Sequence, residues 1–196
     1  MQMQHNAITR VCRNTKHQTM EQAELAAIQG VIDACAALMF VALHDKFGFG
    51  KKRCKQMVID FDDLENRPSG FIREWQQAIS KKGFNNEENI RLAEMMRKWV
   101  LGCKPYRNDR RIIRNTQDYA AGVFIVMYRY VSEKFGFGES RLRKLQKHVH
   151  DNVYALCKEP GCDIWGFMTI ANRYCDIEFE ELIQWEKAHG PYELYE

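Results

Sequence analysis

A chain of 196 residues has the length of one domain or of two small ones. Its residues are 45% hydrophobic and 12% aromatic, which is enough to build a buried core and excludes a chain that is disordered throughout. The formal charge of +3 is too small to indicate nucleic-acid binding by itself.

The seven cysteines and the apolar runs bear on the expected compartment. The cysteines are odd in number and irregularly spaced, and the polar N-terminus lacks the apolar segment of a signal peptide. We therefore expect reduced thiols and a cytoplasmic protein. The most apolar runs, 34–43 and 120–130, are shorter than a membrane span, so we expect buried core helices and no membrane contact.

The first predicted helix follows a polar, basic N-terminal segment. Residues 1–17 predict a flexible basic arm. Thr19 and Gln22 have the spacing of a capping box, which predicts a helix from Thr19 to about Lys46. Apolar residues recur there at three- and four-residue steps, and the predicted buried face comprises Leu25, Ile28, Ile32, Cys35, Met39 and Ala42.

Caps and helix breakers divide the rest of the chain into further helices. Asn85 or Asn86 and Asn108 or Asp109 are the predicted N-caps, and Gly83 is a predicted C-cap. A turn is predicted at 67–70 and a connector at 104–105. The predicted helices cover 51–64, 71–82, 87–101, 109–134, 141–157 and 179–188, with an aromatic segment over 164–174.

The pentapeptide KFGFG occurs twice, at 46–50 and at 134–138, which are 88 positions apart. At that offset Met39 corresponds to Met127 and Arg53 to Arg141, so the identity indicates an internal duplication. Duplicated units pack on each other as the subunits of a homodimer do. We therefore predict an all-α, pseudo-two-fold helical bundle of two helix–KFGFG–helix units, over 18–102 and 103–196, that share one core.

Each KFGFG has the composition of a sharp turn between two helices. The first glycine can close the preceding helix in the left-handed conformation, the next phenylalanine can pack into the core, and the second glycine can cap the following helix. Lys51 and Lys52 of the first copy are replaced by Glu139 and Ser140 in the second. This divergence in charge favours the turn itself as the requirement that both copies share.

The segment LHDKFGFGKKR, at 43–53, resembles a group of uncharacterised small helical proteins of bacteriophages and prophages, especially of Firmicutes, whose hallmark is close to LHDxFGFGxxR. The second copy matches less well and reads VSEKFGFGESR. The resemblance implies a viral accessory protein of the host bacterial cytoplasm. Such proteins often act by binding host proteins, nucleic acids or the nucleotide signals of host defence, and the resemblance supplies no catalytic residue.

Basic residues follow each turn at the start of a helix, where free N–H groups and the helix dipole favour phosphate. A second basic cluster lies near a tyrosine that can stack on a base. The sequence thus predicts a non-enzymatic protein, without a cofactor, that captures a phosphate-bearing small molecule such as a signalling nucleotide. The candidate residues are Lys51, Lys52, Arg53, Arg141 and Arg143 after the turns, and Tyr106, Arg107, Arg110, Arg111 and Arg114 in the cluster.

Two other functions stay open at this stage. One is a protein–protein inhibitor or scaffold acting on a host protein, which fits the charge divergence because a protein partner need not be symmetric. The other is a DNA-binding regulator of the helix-turn-helix type, with Lys52, Lys55 and Gln56 in the groove. The sequence leaves the oligomeric state open.

Metal binding and catalysis are not indicated by any motif. His148, His150, Cys157 and Cys162 lack the spacing of a zinc site, and a helix would direct the two histidines to different faces. No local motif marks a nucleophile, and there is no P-loop. We therefore predict neither a metal site nor an enzyme.

Overall fold

A computed structural model describes residues 19–62, 71–102 and 107–194. Within these ranges the chain forms eight α-helices and no strand, which confirms the all-α prediction. The helices are α1 (Met20–Phe47), α2 (Lys51–Asp62), α3 (Phe71–Ser80), α4 (Asn86–Leu101), α5 (Arg110–Lys134), α6 (Glu139–Lys158), α7 (Ile164–Ile170), which a π-helical turn (Ala171–Cys175) continues, and α8 (Glu180–His189). The predicted basic arm, the turn at 67–70 and the connector at 104–105 lie outside the described residues.

The helices begin where local side chains satisfy their first N–H groups. The N–H of Thr19 donates to Oε1 of Gln22 (3.0 Å), and the N–H of Gln22 donates to Oγ1 of Thr19 (3.3 Å), as a capping box requires. Asn85 and Asp109 cap α4 and α5 in the predicted way. Two helix ends differ from the prediction by two residues: α6 begins at Glu139 instead of Arg141, and α3 ends at Ser80 instead of Lys82.

Helix α1 is the centre of the bundle. Residues 37–43 are buried on every side, because α4, α5, α6 and α7 all pack against this helix. By length and composition α1 could cross a membrane, contrary to the expectation drawn from the shorter apolar runs. Its burial among four other helices is that of a core helix.

The predicted buried face of α1 was wrong at its N-terminal end. Leu25 is 66% exposed, whereas Ala23 and Ala27 are buried against Leu101 and Ile112. Small side chains let these neighbours approach α1 closely, so the contact face is set by the alanines and not by the larger apolar residue.

The two predicted units share one hydrophobic core. The long helices α1 and α5 pack on each other, and each unit lends a short helix to the other: α3 packs on α5, and α7 packs on α1. A two-fold arrangement requires this exchange. Two-fold symmetry of the whole bundle stays a prediction.

The two KFGFG turns have the same backbone geometry. Gly48 (φ 62°) and Gly136 (φ 64°) are left-handed. In each turn the N–H of the next residue, Phe49 or Phe137, donates to the carbonyl six residues earlier, at 3.3 Å and 3.2 Å respectively. Both of these phenylalanines are almost fully buried, so the turn has the structural role that the sequence predicted.

Four phenylalanines of the two turns form one aromatic cluster. The ring centroids of Phe47 and Phe137 are 4.7 Å apart, and those of Phe135 and Phe49 are 4.8 Å apart. The two contacts are equivalent, because replacing each phenylalanine of one contact by its counterpart 88 positions away gives the other contact. Phe49 and Phe137 meet edge to face at 6.1 Å, which joins the copies at the centre of the cluster.

The left-handed glycine predicts a large difference between two serine substitutions in the same turn. Gly136→Ser places a side chain at φ 64°, and we expect it to lower the free energy of unfolding by about 1–2 kcal/mol. Gly138→Ser is the matched control, because Gly138 has φ −80° and is an N-cap, where serine is well tolerated. Added Cβ atoms meet no atom within 4 Å at either position. Urea unfolding measures both variants, and an equal loss of stability in both would contradict the role given to Gly136.

Candidate functional site

The two KFGFG turns and the helices that follow them form a cleft of about 390 Å³, here called the arginine cleft. It contains the two arginines that the sequence predicted to share a role, although they are 88 positions apart in the chain. Its lining consists of Phe47, Phe49, Arg53, Phe135, Phe137 and Arg141.

Each arginine of the cleft lies over the phenylalanine of its own turn. Cζ of Arg53 is 5.3 Å from the ring centroid of Phe49, and Cζ of Arg141 is 5.7 Å from that of Phe137. Such a contact contributes about 0.5–1 kcal/mol at an exposed site. The contact uses the flat face of the guanidinium group, so the N–H donors at the edge of the group stay available to bind an anion.

Two helix N-termini meet at the arginine cleft. Helix α2 begins after Gly50, whose carbonyl accepts from the N–H of Arg53 (3.0 Å), and α6 begins after its N-cap Gly138. A glycine cap has no side chain to bind the first N–H groups of the helix, so these groups favour an anion. Lys51 and Lys52 are exposed on the first turn of α2 and add positive charge there.

Arg143, also predicted for the phosphate site, faces away from the arginine cleft. It forms an ion pair with Glu139 at 2.5 Å. It lines a separate polar cleft of about 550 Å³. The other residues of that cleft are Gly83, Asn85, Glu88, Gln146, Lys147 and His150.

The predicted cluster Arg107–Arg114 does not join the arginine cleft. It lies at the N-terminal end of α5, and the KFGFG turn follows the C-terminal end of this 25-residue helix. At 1.5 Å per residue the two ends are roughly 36 Å apart, so one small ligand cannot reach both. Arg111 pairs with Glu24 (2.6 Å) and Arg114 with Asp118 (3.6 Å), whereas Arg107 and Arg110 are exposed. Tyr106 lies outside the described residues.

Two of the three residues proposed for a DNA-reading helix are engaged with acids in the protein, and the third, Lys52, is exposed. Lys55 forms an ion pair with Asp176, and the side-chain amide of Gln56 donates to Asp60 at 2.7 Å. The first contact ties Lys55 to the residue that follows the π-helical turn, and the second holds Gln56 along α2, so both weigh against these side chains reading base edges.

The histidines and cysteines weighed for a metal site are not gathered together. Nε2 of His148 is 3.9 Å from Asp45, and Nε2 of His150 is 3.4 Å from Glu88 on another helix. Within the described ranges, no three His, Cys, Asp or Glu side chains are grouped so as to hold a metal ion.

A larger apolar groove, of about 710 Å³, lies between α1, α2, α5 and the segment 177–179, and sequence reasoning missed it. We call it the open groove. Two local signals could have indicated it: Gly122 in the middle of a long helix, and Asp33 within an apolar run. It is lined by Ile32, Asp33, Ala36, Phe40, Val58, Phe61, Asp118, Tyr119, Gly122, Val123, Val126, Met127, Ile177, Glu178 and Phe179.

Asp33 has an unusual electrostatic environment in this groove. Burial and the carboxylate of Glu181 raise its pKa from 3.8 to about 6, although the amide of Gln29 donates to it at 2.9 Å. A carboxylate held in an apolar groove beside a second acid is a feature of binding sites more than of structural cores.

No protein-family model, no curated protein and no solved structure matches this chain. Its function is therefore inferred from its own residues.

The raised pKa of Asp33 predicts that this residue destabilises the fold at neutral pH. The pKa of about 6 in the folded chain exceeds the ordinary value of 3.8, so Asp33 ionises at lower pH in the unfolded chain and stability falls as the pH rises from about 4 to 6. We expect Asp33→Asn to raise the free energy of unfolding by about 1–2 kcal/mol at pH 7.5, and by much less at pH 4. Urea unfolding at both pH values tests this, with the exposed Asp118→Asn as the control. A gain that does not depend on pH would contradict the assignment.

Proposed function

We propose that the protein captures, without catalysis, a small phosphate-bearing ligand in the arginine cleft. One observation carries the proposal: Arg53 and Arg141, from the two copies of the repeat, line a single cleft at the start of two helices. A purely structural turn needs its glycines and phenylalanines but does not need an arginine at the same place in both copies.

The groups around the cleft have the chemistry that binds phosphate. A guanidinium group binds a phosphate with two parallel hydrogen bonds, and the helix N-termini add N–H donors and partial positive charge. The phenylalanine rings beneath provide an apolar floor on which the two exposed guanidinium groups lie. A volume of about 390 Å³ is within the range of small-molecule sites.

The pairing of equivalent arginines favours a ligand with two phosphate groups. A diphosphate or a cyclic dinucleotide can give one phosphate to each arginine, so a signalling nucleotide fits the proposal. Sequestering such a signal in a bacterial cytoplasm would counter a host defence, in accord with the resemblance to phage proteins. Sequestration needs only tight binding and no catalytic group.

The proposal predicts that both cleft arginines are needed for binding. Isothermal titration with pyrophosphate, ADP and cyclic di-AMP should show at least one ligand that the protein binds. We expect Arg53→Ala and Arg141→Ala each to weaken its affinity about 10-fold or more, because each substitution removes charge-assisted hydrogen bonds.

Arg143→Ala is the charge-matched control, since Arg143 pairs with Glu139 outside the cleft. We expect the affinity of the Arg143→Ala variant for the ligand to change less than about 3-fold, as for the loss of a solvent-screened surface charge. The proposal is wrong if none of the three compounds binds at millimolar concentration, or if the control loses as much affinity as the cleft variants.

A further inference from the structure

The duplication shows what is unusual about the open groove. Each residue that lines it has a counterpart 88 positions away in the other copy, and several of the counterparts on the long helices are more deeply buried. Tyr119 is 49% exposed in the groove, whereas its counterpart Val31 is fully buried. Gly122 is half-buried, whereas its counterpart Ala34 is 1% exposed. The equivalent groove in the other half of the bundle is therefore closed.

Helix α4 closes that equivalent groove. It packs on α1, α5 and α6, and Leu92, Ala93 and Met96 on its inner face are fully buried. The amide of Asn89 donates to the carbonyl of Ala121 (3.4 Å), which ties α4 to α5. A groove of this form thus accommodates an amphipathic helix of 16 residues.

Helix α8 is the counterpart of α4 but does not occupy the open groove. It packs chiefly on α7 instead of on the two long helices. Glu180, Glu181 and Gln184 stand at the positions of the three buried apolar residues of α4. Charged side chains are costly to bury in an apolar groove, so the sequence of α8 explains why the groove stays open among the described residues.

We propose that the open groove binds a basic amphipathic helix of a partner protein. Its lining is apolar, and the equivalent groove shows that a helix fits such a surface. Its acids, Asp33, Asp118 and Glu178, complement a basic helix, although Arg114 already pairs with Asp118 and Lys55 lies near Glu178. Helix-in-groove binding uses this combination of an apolar face and flanking charge. Such a site would serve the alternative function considered from the sequence, binding to a host protein. It is separate from the arginine cleft.

The chain itself supplies a matched pair of probe peptides. The first is a labelled synthetic peptide with the sequence of 86–101 in which lysine replaces Glu87, Glu88 and Glu94; the second keeps these glutamates. Fluorescence anisotropy with the full chain should show saturable binding of the lysine peptide. We expect the unmodified peptide to bind about 10-fold more weakly, because it lacks the complementary charge.

Gly122→Leu tests the place of binding. A Cβ atom at Gly122 meets no atom within 4 Å, so the leucine enters the groove without a clash. Replacing a glycine within a helix also favours the helix, so the variant should melt no lower than the unsubstituted chain. We expect it to weaken binding of the lysine peptide about 10-fold or more, and Asp33→Asn to weaken it about 3-fold. Gly138→Ser, at the arginine cleft, should leave the affinity unchanged.

Three outcomes would overturn the proposal. The first is the absence of saturable binding, or binding that Gly122→Leu does not weaken. The second is tighter binding after Arg10→Glu and Arg13→Glu in the full chain, which would show that its own basic N-terminal segment competes for the groove. The third is a dimer in sedimentation that Gly122→Leu dissociates, which would make a second copy the occupant.

Discussion

The contact between the two KFGFG turns is the constraint on which the rest of the structure depends. A left-handed glycine ends each long helix, and the chain then directs a phenylalanine into a cluster shared with the other copy. The cluster fixes α1 beside α5, and Arg53 of α2 and Arg141 of α6 line one cleft beside it. Arg53 and Arg141 come together as a consequence, since each follows its turn by the same number of residues. The site is therefore a product of the packing at the repeat.

Features that depend on neighbouring residues were predictable from the sequence, and features that depend on distant ones were not. The capping box at Thr19 and the caps at Asn85 and Asp109 are local, so their residue types were sufficient. The buried face of α1 could not be predicted in this way, because a helix surrounded on all sides has no single apolar stripe in its sequence. Leu25 was misassigned for a different reason: at the N-terminal end of α1 the alanines Ala23 and Ala27 make the buried contact, and Leu25 faces away from it.

The same distinction holds for the sites. That Arg53 and Arg141 lie in one cleft follows from the repeat, because it makes two local patterns equivalent and equivalent parts of a duplicated chain tend to meet. The Arg107–Arg114 cluster was grouped with them by charge alone, and the length of α5 separates it from them. Gly122 and Asp33 are the local signals of the open groove, but its shape could not be predicted because four separate segments contribute to it. Only comparison of the two copies shows that it is the vacant counterpart of an occupied position.

The two copies of the repeat are alike at the KFGFG turns in the centre of the bundle and differ in the helices α4 and α8 at its edge. The turns cannot change without losing the left-handed glycines or the buried phenylalanines, whereas α8 has Glu180, Glu181 and Gln184 where α4 has buried apolar residues. A chain of aromatic contacts joins the two regions: Phe61 of the groove packs on Tyr130 (5.1 Å), which contacts Phe135 of the cleft (5.9 Å). Tyr130 is the middle ring of this series, and its hydroxyl donates to Asp60 at 2.7 Å, which ties α5 to α2. The arginine cleft and the open groove are therefore connected by packed side chains, although different residues line them.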